Sequence, residues 1–584
     1  MKTWPCTSFV FIPIALRVFP PLRETAEEVR LGVVSVMGRR ISWGGGLASL
    51  VKKDGPAMPA TMLMTNQIPL TVLDHEIFDA TVPDDHYLRR VHNAIDFVPI
   101  RLILLSSYHP TLGRPPYEPL VLLKLEFLQY QYDLSDREVI NHSQVNMAFR
   151  LFLDLSLHTP LPDPSLLTYF RKRLGPEVHQ KVFQELISQA RQKGLIKDRL
   201  RLTDATHVLA NIAVPTTLVL VAQARGQLLD AALAYAPERV AQEEAEVIRL
   251  RTATADLPDV ERLAHRVEHL RSLVAWAEEL LPPGEPAVPE WDPERQRLRQ
   301  ALDLAHKVLH DRDHPKEGDK VVSTHETTAR NGWHHQWFTG YSLDILMDAD
   351  SEFITATDVM PANADEAANV TKLVQQEEQA QGNDIEAMSI DSIGYRGDLL
   401  DQWTDPEGLN LEVIVPPIEQ AAAVGFPPEA FTLDAAKAKL TCPAGQTTEK
   451  RQRNANDTGW KYKFAPRQCA GCPLRAKCMA KPETTTGGRT VIKNEYEATY
   501  RAAREKAKTP RYKEVRQQHP KVERKLGELA RWHKMRHARY WGTPKVLIQA
   551  VLTCFVVNAK LFLKLVEGPA GPTAGTVRAG LSGV

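Results

Sequence analysis

The spacing of apolar positions changes several times along this chain, and each change predicts a different kind of structure. Residues 83–175 carry apolar side chains at helical spacing between short polar turns, which predicts a bundle of short helices. Residues 217–312 predict a second helical region, broken by a proline-rich linker at 282–289. Alternation of apolar and polar residues at 337–347 and again at 353–359 predicts two strands joined by a tight turn.

Two shorter apolar segments each end at an aspartate. Residues 200–203 predict a strand that ends at Asp204, and a buried strand is predicted to end at Asp391. The end of a strand is where an α/β sheet places active-site groups, so both aspartates are candidates for chemistry. An aspartate that merely closes a turn gives the same pattern.

The stretch 516–541 is predicted to form one basic helix. Residues 501–540 contain fourteen Lys and Arg against four Glu. The apolar face of the helix consists of three residues at i, i+4 and i+7 spacing: Val522, Leu526 and Leu529. Glu523 lies on the flank of that face, a position suited to a metal ligand beside a polyanion. The alternative is a solvent-exposed helix whose glutamate pairs with Arg524 or Lys525, and the helix alone favours that alternative.

The composition argues against a membrane-spanning protein and against a disulfide scaffold. Of 584 residues, 25% are charged and 43% are hydrophobic, as in a soluble globular protein, and 72 basic residues balance 72 acidic ones. The basic charge near the C terminus is therefore local. The apolar run 546–559 is too short and too mixed to span a bilayer, so we expect a buried helix and a soluble, cytoplasmic protein without a membrane partner. Six cysteines are few for this length and favour a reducing compartment.

Four of the cysteines are clustered. They are Cys442, Cys469, Cys472 and Cys478. The C-x2-C spacing of the middle pair is typical of a zinc knuckle, and four thiolates complete a tetrahedral structural site for Zn²⁺. A small, turn-rich segment also needs such a cross-link to hold its fold. Free or redox-active cysteines are the alternative.

Several motifs, taken in order, resemble the DDE-type transposases of bacterial insertion sequences. GRPPYEP, LSDREV, NMAFRLFLDL and PDPSLLTYFRKRLG follow the helical N-terminal domain of that family. DATHVLAN matches the family's first aspartate motif, DSIGY its second, and VERKLGELARWHKMRHARYWG its C-terminal glutamate helix. PANADE matches as well. The turn STHETTAR departs from the family because it lacks the usual aspartates.

The resemblance implies an α/β fold: an RNase H-like mixed sheet flanked by helices, with an all-α N-terminal domain and a helical insertion. It implies three catalytic metal ligands, Asp204, Asp391 and Glu523, with Glu528 as the alternative third. Such carboxylates hold two Mg²⁺ or Mn²⁺ ions roughly 3.5–4 Å apart. His207 and Asn211 are expected to support the ligands by hydrogen bonds, or His207 is an ordinary buried histidine. The residues expected to bind DNA are Arg171, Lys172, Arg173, Arg524, Lys525, Arg531, Lys534 and Arg536.

The function implied is metal-dependent DNA strand cleavage and strand transfer at the ends of an insertion sequence. The expected partners are double-stranded DNA, both terminal inverted repeats and target, and further copies of the same chain. Two alternatives stay open: a two-metal nuclease without strand transfer, and a domesticated, catalytically inactive DNA-binding regulator.

The same patterns predict a division of the chain into seven parts. These are a disordered or mis-called extension at 1–63, a DNA-binding helical domain at 80–180, the catalytic core at 195–216 and 320–403, the helical insertion at 217–312, the cysteine-rich insertion at 404–495, the catalytic helix with a packing helix at 496–566, and a flexible tail at 567–584.

Overall fold

The protein is described from a computed structural model that covers residues 69–109, 116–281, 292–334, 336–418, 425–434, 438–454, 458–479 and 486–568. The predicted extension at 1–63, the proline-rich linker at 282–289 and most of the predicted tail lie outside these residues.

Helices come first, as the apolar spacing predicts. Ser135 and Glu138 form a capping box at the start of one helix. Gly175 lies at a kink at φ +61°, and Pro176 restarts the helix after it. The helices are α1 Val72–Thr81, α2 Tyr87–Ala94, α3 Phe97–Leu105, α4 Pro119–Tyr132, α5 Asp136–Val145, α6 Met147–Phe152 and α7 Ser165–Gln192.

A mixed sheet follows, and its strands are widely separated in sequence. They are β1 Arg201–Leu209, β2 Arg330–His334, β3 Gln336–Asp348, β4 Ile354–Pro361, β5 Ala387–Ser389 and β6 Glu412–Ile414. The order among the described residues is β2-β3-β1-β5-β6, with β4 also paired to β3. β1 and β4 are antiparallel to β3, whereas β5 is parallel to β1 and β6 is parallel to β5. The predicted strand pair at 337–347 and 353–359 is confirmed; β2 was not predicted.

The strand predicted to end at Asp204 is longer than expected. β1 continues to Leu209 because β3 pairs with it along its whole length, as far as Gly340. Pairing with β5 stops at Leu202. Asp204 therefore lies inside a strand, but at the point where one of its two neighbours leaves it.

Four helices lie between β1 and β2: α8 Thr217–Ala232, α9 Pro237–Ala253, α10 Asp259–Glu278 and α11 Pro293–Asp313. They share an apolar cluster of their own, which includes Leu228, Leu273 and Leu302. Asp292 caps α11 and Pro293 starts it. The predicted helical insertion is therefore present in the described residues.

Helices flank the sheet after β4. They are α12 Glu366–Gln381 between β4 and β5, and α13 Gly397–Thr404 between β5 and β6. The cysteine-rich segment follows β6 and folds around a small core of its own, which includes Phe431 and Tyr462. Its elements are β7 Thr432–Leu433, β8 Leu440–Thr441, β9 Thr447–Thr448, β10 Arg451–Arg453, β11 Gly459–Lys463, α14 Pro466–Ala470, α15 Arg475–Cys478 and β12 Thr490–Asn494.

The prediction of one basic helix over 516–541 is wrong. The C-terminal part consists of α16 Glu497–Lys506, α17 Pro510–Arg516, α18 Pro520–Trp532 and α19 Thr543–Glu567. Pro520 starts a new helix because it lacks an N–H and fits only the first turn. The chain after Trp532 leaves the helix, and Leu209 donates its N–H to the carbonyl of Arg536 at 2.9 Å.

The last helix is mostly buried. α19 is long and apolar enough to cross a membrane, but 83% of its apolar window is buried inside the protein. Asn558 on α19 donates to the carbonyl of Ile354 at 2.7 Å and accepts from its N–H at 3.0 Å. One apolar cluster joins α19, the N-terminal helices and one face of the sheet, so no break in packing separates the helical region from the sheet. The expected buried helix is confirmed.

Candidate active site

Asp204 and Asp391 come from neighbouring parallel strands. The last residues that β1 and β5 pair are Leu202 and Ser389. Each aspartate lies two residues farther along its chain segment, where the strands no longer pair. Equal distances from a shared register place both aspartates at the same level of the sheet edge.

Both aspartates also lie on the same face of the sheet. Side chains alternate along a strand, so Asp204 shares its face with Leu202, and Asp391 shares its face with Ala387. Leu202 and Ala387 pack in the same core cluster as Leu526 of α18. The two carboxylates therefore lie on the side that α18 covers.

Glu523 reaches this side from the first turn of α18. The apolar face of the helix is buried, while Glu523 is exposed. The start of α18 is fixed to the end of β5: a ring nitrogen of His519 lies 3.2 Å from Oγ of Ser389. Arg516 at the end of α17 donates to the carbonyl of Ile390 at 3.0 Å, next to Asp391. These contacts hold the glutamate helix against the strand that carries the second aspartate.

The negative charges of Asp391 and Glu523 act on the carboxyl group of Asp204. Burial raises the pKa of Asp204 to about 7, and the negative charges of Asp391, Glu523 and Glu366 add to the shift. The N–H of Ala205 donates to Oδ1 of Asp204 at 2.8 Å and works against the shift. The structure thus brings the three residues named from sequence together at one end of the sheet.

Glu528, the alternative third ligand, has a different environment. Five positions along a helix correspond to about 140° of rotation, so Glu528 points away from the direction of Glu523. Its Oε2 accepts a hydrogen bond from Nζ of Lys525 at 3.0 Å.

Two further carboxylates lie at the site and were not predicted from sequence. Glu366, at the start of α12, and Asp344 on β3 line the same small cavity as Asp204 and Asp391. Burial raises the pKa of Asp344 well above its usual range, and the charge of Glu366 adds to the shift. Ser342 donates to Glu366 at 2.6 Å. The available signal was the pair of polar residues, Ser342 and Asp344, inside an otherwise apolar strand.

The structure gives His207 and Asn211 other partners than the ones expected. His207 lies three positions from Asp204 on a strand and so faces the opposite side. Its Nε2 is 2.8 Å from Nη1 of Arg536. Burial and the charge of Arg536 lower the pKa of His207 to about 4, which keeps the ring neutral at pH 7. Asn211 is exposed, and its carbonyl accepts from Nε1 of Trp541 at 3.0 Å.

Comparisons with known proteins found two matching family models. The family model described as "Transposase domain (DUF772)" matches residues 76–173, and the one described as "Transposase DDE domain" matches residues 441–563. The two matches support a DDE-type transposase of insertion sequences. The matched segments cover the N-terminal helices and the region from the cysteines through Glu523 to α19; Asp204 and Asp391 lie between them.

A curated relative covers less of the chain. An uncharacterized protein from Rhizobium meliloti, ORF8 of the nfe locus, is 28% identical over 91 residues, which is 15% of this chain and 44% of that protein. The chain therefore spans less than half the length of that relative. No solved structure matches the chain.

The four clustered cysteines surround one small cavity. Cys442, Cys469, Cys472 and Cys478 all line it. Burial raises the pKa of Cys478; the charge of Arg489 opposes the shift, and the three neighbouring thiols add to it. The backbone N–H of Arg489 points at Sγ of Cys469 at 3.5 Å. The four sulfur atoms named from sequence thus share one site.

Two of the basic residues predicted to bind DNA are buried instead. Arg171 is 7% exposed, and its guanidinium pairs with Asp136 and with Glu126, the latter at 3.4 Å. Lys525 is also 7% exposed and pairs with Glu528. Because neither cation can reach a phosphate, their assignment to DNA is wrong. Sequence could not show it, since the partners of Arg171 lie 35 and 45 positions away.

The remaining predicted basic residues are more accessible. Lys172, Arg173, Arg524, Arg531 and Lys534 are exposed. Arg173 lies over the ring of Tyr108, 4.8 Å from its centroid, and Arg524 pairs with Glu352 at 3.2 Å. Arg536 is partly buried and contacts β1 through Thr206 and His207. A role in DNA binding stays a prediction for these six residues.

Proposed function

We propose that this DDE-type chain is an active transposase that cleaves DNA at the ends of an insertion sequence and joins the freed 3′ ends to target DNA. The observation that carries the proposal is the meeting of Asp204, Asp391 and Glu523, from two parallel strands and one helix, around the end of the sheet. Matched transposase domains on both sides of the two aspartates support it, and the second of these domains includes Glu523.

The proposal includes an RNase H-like fold for the catalytic core. Three strands, β1, β3 and β4, form an antiparallel group, and β5 and β6 extend the sheet in parallel on the other side of β1. The first aspartate comes from the central strand and the second from its parallel neighbour. This arrangement supports the RNase H-like reading implied by the sequence motifs.

The donor set fits divalent metal ions. Burial raises the pKa of Asp204, and the negative charges of Asp391, Glu523 and Glu366 add to the shift, which a bound cation would oppose. Carboxylate oxygens are the ligands that Mg²⁺ and Mn²⁺ prefer. Asp204, Asp391 and Glu523 would hold the ions. A bound pair would neutralise the charge that develops during in-line displacement at phosphorus and activate the attacking hydroxyl.

The chain's own residues orient the ligands. The N–H of Ala205 fixes Oδ1 of Asp204, and the N–H of Ile393 donates to Oδ1 of Asp391 at 3.0 Å. In each aspartate the backbone thereby holds one oxygen, and a carboxylate has a second oxygen that would serve as a metal ligand. Arg516 and its contact with the carbonyl of Ile390 keep the glutamate helix in place beside them.

The exposed basic residues support a DNA path. Arg531 lies in the last turn of the glutamate helix and Lys534 lies just beyond its end, while Lys172 and Arg173 lie on α7. Contacts of this kind bind phosphates without reading sequence and weaken as salt rises. Double-stranded terminal repeats and target DNA are the proposed partners, and assembly of several copies on the two ends is part of the same proposal.

The deciding experiment uses the full chain and linear DNA that carries the repeats flanking the gene, in Mg²⁺. We expect nicks with free 3′-hydroxyl ends from the wild type, and a loss of at least ~1,000-fold in Asp391→Ala. Asp398→Ala, an exposed aspartate paired with Arg396 on the same segment, is the matched control and should cleave at close to the wild-type rate. Equal cleavage by wild type and Asp391→Ala would remove the catalytic assignment.

A supercoiled plasmid added as target separates the alternatives. Joined products identify a transposase. Cleavage by the wild type without joining identifies a nuclease, and DNA binding without any cleavage identifies a regulator.

A further inference from the structure

Three metal-ligating side chains meet at the end of α11, far from the carboxylates and the cysteines in sequence. They are His310, His314 and Glu317, and one ligand atom from each lies within 4.8 Å of the others. The four-residue spacing puts both imidazoles on one side of the helix, with ring centroids 4.2 Å apart. Nδ1 of His310 is 3.6 Å from Oε2 of Glu317.

The hydrogen bonding of His314 prepares it as a ligand. Its Nδ1 lies 3.0 Å from the backbone carbonyl of His310. A carbonyl only accepts, so Nδ1 carries the proton and Nε2 keeps a free lone pair. Histidines that bind metals characteristically donate their other ring N–H to a backbone carbonyl or a carboxylate, because this fixes the tautomer and the ring orientation.

We propose that His310, His314 and Glu317 bind one divalent transition-metal ion of the Zn²⁺, Co²⁺, Ni²⁺ or Cu²⁺ class. Imidazole nitrogen favours these ions, whereas Mg²⁺ prefers oxygen ligands and keeps its waters. Ligands about 2.1 Å from a tetrahedral ion lie roughly 3.4 Å apart, so small side-chain rotations close the site. All three side chains are exposed, so they have room for these rotations.

Neighbouring polar residues have other partners, which leaves this trio as the ligand set. Asp311 accepts from Nζ of Lys307 at 2.7 Å and from the N–H of Val321 at 2.8 Å. His306, one turn before His310, pairs with Glu278 at 2.9 Å.

The ion would act on the connection between the insertion and the sheet. Residues 314–320 lead from α11 towards β2, and Asp319 in this loop pairs with Arg330, the first residue of β2. Binding at Glu317 would fix the loop to the last turn of α11. The site does not include the proposed catalytic carboxylates, so its occupancy and DNA cleavage are separate measurements.

Co²⁺ titration of the full chain in excess Mg²⁺ tests the site, because the visible absorption of Co²⁺ reports its ligands. Binding at the cysteines adds thiolate charge-transfer bands, whereas a His₂Glu site shows d–d bands without them. We expect the wild type to show this nitrogen–oxygen component. His310→Ala/His314→Ala should lose it, and Glu317→Gln should bind at least ~10-fold more weakly. His306→Ala is the matched control and should behave as wild type.

Circular dichroism and thermal melting distinguish loss of the metal site from misfolding of a variant. Circular dichroism should be the same for all variants, because the substituted side chains are exposed. Low Zn²⁺ should raise the Tm of the wild type and of His306→Ala, but raise it less in the double variant. The proposal is overturned if the double variant retains the nitrogen–oxygen component, or if the wild type lacks it.

Discussion

Asp204 and Asp391 occupy equivalent positions on two parallel strands, each two residues beyond the last paired residues of those strands. This equivalence explains why two aspartates separated by a helical insertion and three strands come to the same level of the sheet. It also places two negative charges where burial already disfavours charge, and the pKa of Asp204 rises to about 7 as a result.

That pKa has a consequence for stability. The pKa of Asp204 is higher in the folded chain, at about 7, than its ordinary value of 3.8, so the folded state holds the proton more tightly. Stability then falls as pH rises from about 4 to about 7, and the full penalty is present above pH 7. We expect Asp204→Asn to raise the Tm of the metal-free protein by about 2–4 °C at pH 8. The difference should vanish near pH 4.

Thermal melts across pH 4–8 in a chelator measure this effect. Asp230→Asn, on an exposed position of α8, is the control and should follow the wild type at every pH. Added Mg²⁺ should raise the Tm of the wild type more than that of Asp204→Asn, since binding of the ion opposes the same repulsion. A wild type and Asp204→Asn that melt together at pH 8 would contradict the electrostatic account of the site.

Arg171 is expected to stabilise the fold through its buried ion pairs and not to bind DNA. Removing its guanidinium in Arg171→Ala leaves Glu126, which is 0% exposed, without its arginine partner. Breaking a buried pair in this way costs about 3–5 kcal/mol. Lys172→Ala, next to it but exposed, should change the free energy of unfolding by less than about 0.5 kcal/mol.

Urea unfolding and DNA binding at two salt concentrations distinguish the two roles. Lys172→Ala should weaken DNA binding at low salt and reduce its salt dependence. A stable Arg171→Ala with weakened DNA binding would return Arg171 to the DNA interface.

The cysteine site makes a prediction about metal content. Protein purified from zinc-containing medium and dialysed should hold about one tightly bound Zn²⁺ per chain, measured by mass spectrometry under native conditions. Cys472→Ala should lose it and melt at a lower temperature, because the small core around Phe431 depends on the cross-link. Cys554→Ala, on α19 and away from the cluster, should keep the ion. Zinc-free wild type would favour unligated thiols.

Short-range patterns predicted much of the fold. The helical spacing at 217–312 predicted the helices of the insertion, and the alternation at 337–347 predicted β3, because both periodicities are local properties of the chain. The length of β1 was missed, since its continuation past Asp204 depends on a partner strand more than 100 residues away.

The site was predictable where motifs marked it and not elsewhere. Asp204, Asp391 and Glu523 were named from motifs, and the structure groups them. Glu366 and Asp344 enter the same cavity only through tertiary packing of α12 on β3, which no spacing in the sequence reveals. The burial of Arg171 and Lys525 was hidden for the same reason: a basic run in sequence says nothing about which of its members face the core.

The most direct test of the central claim is Mn²⁺ affinity, measured by electron paramagnetic resonance, in two glutamate variants of the same helix. If Asp204, Asp391 and Glu523 hold the ions, Glu523→Gln should bind Mn²⁺ at least ~10-fold more weakly than the wild type. Glu528→Gln, whose carboxylate bonds Lys525, should bind within about twofold of it. Unchanged affinity in Glu523→Gln, or a larger loss in Glu528→Gln, would contradict the account.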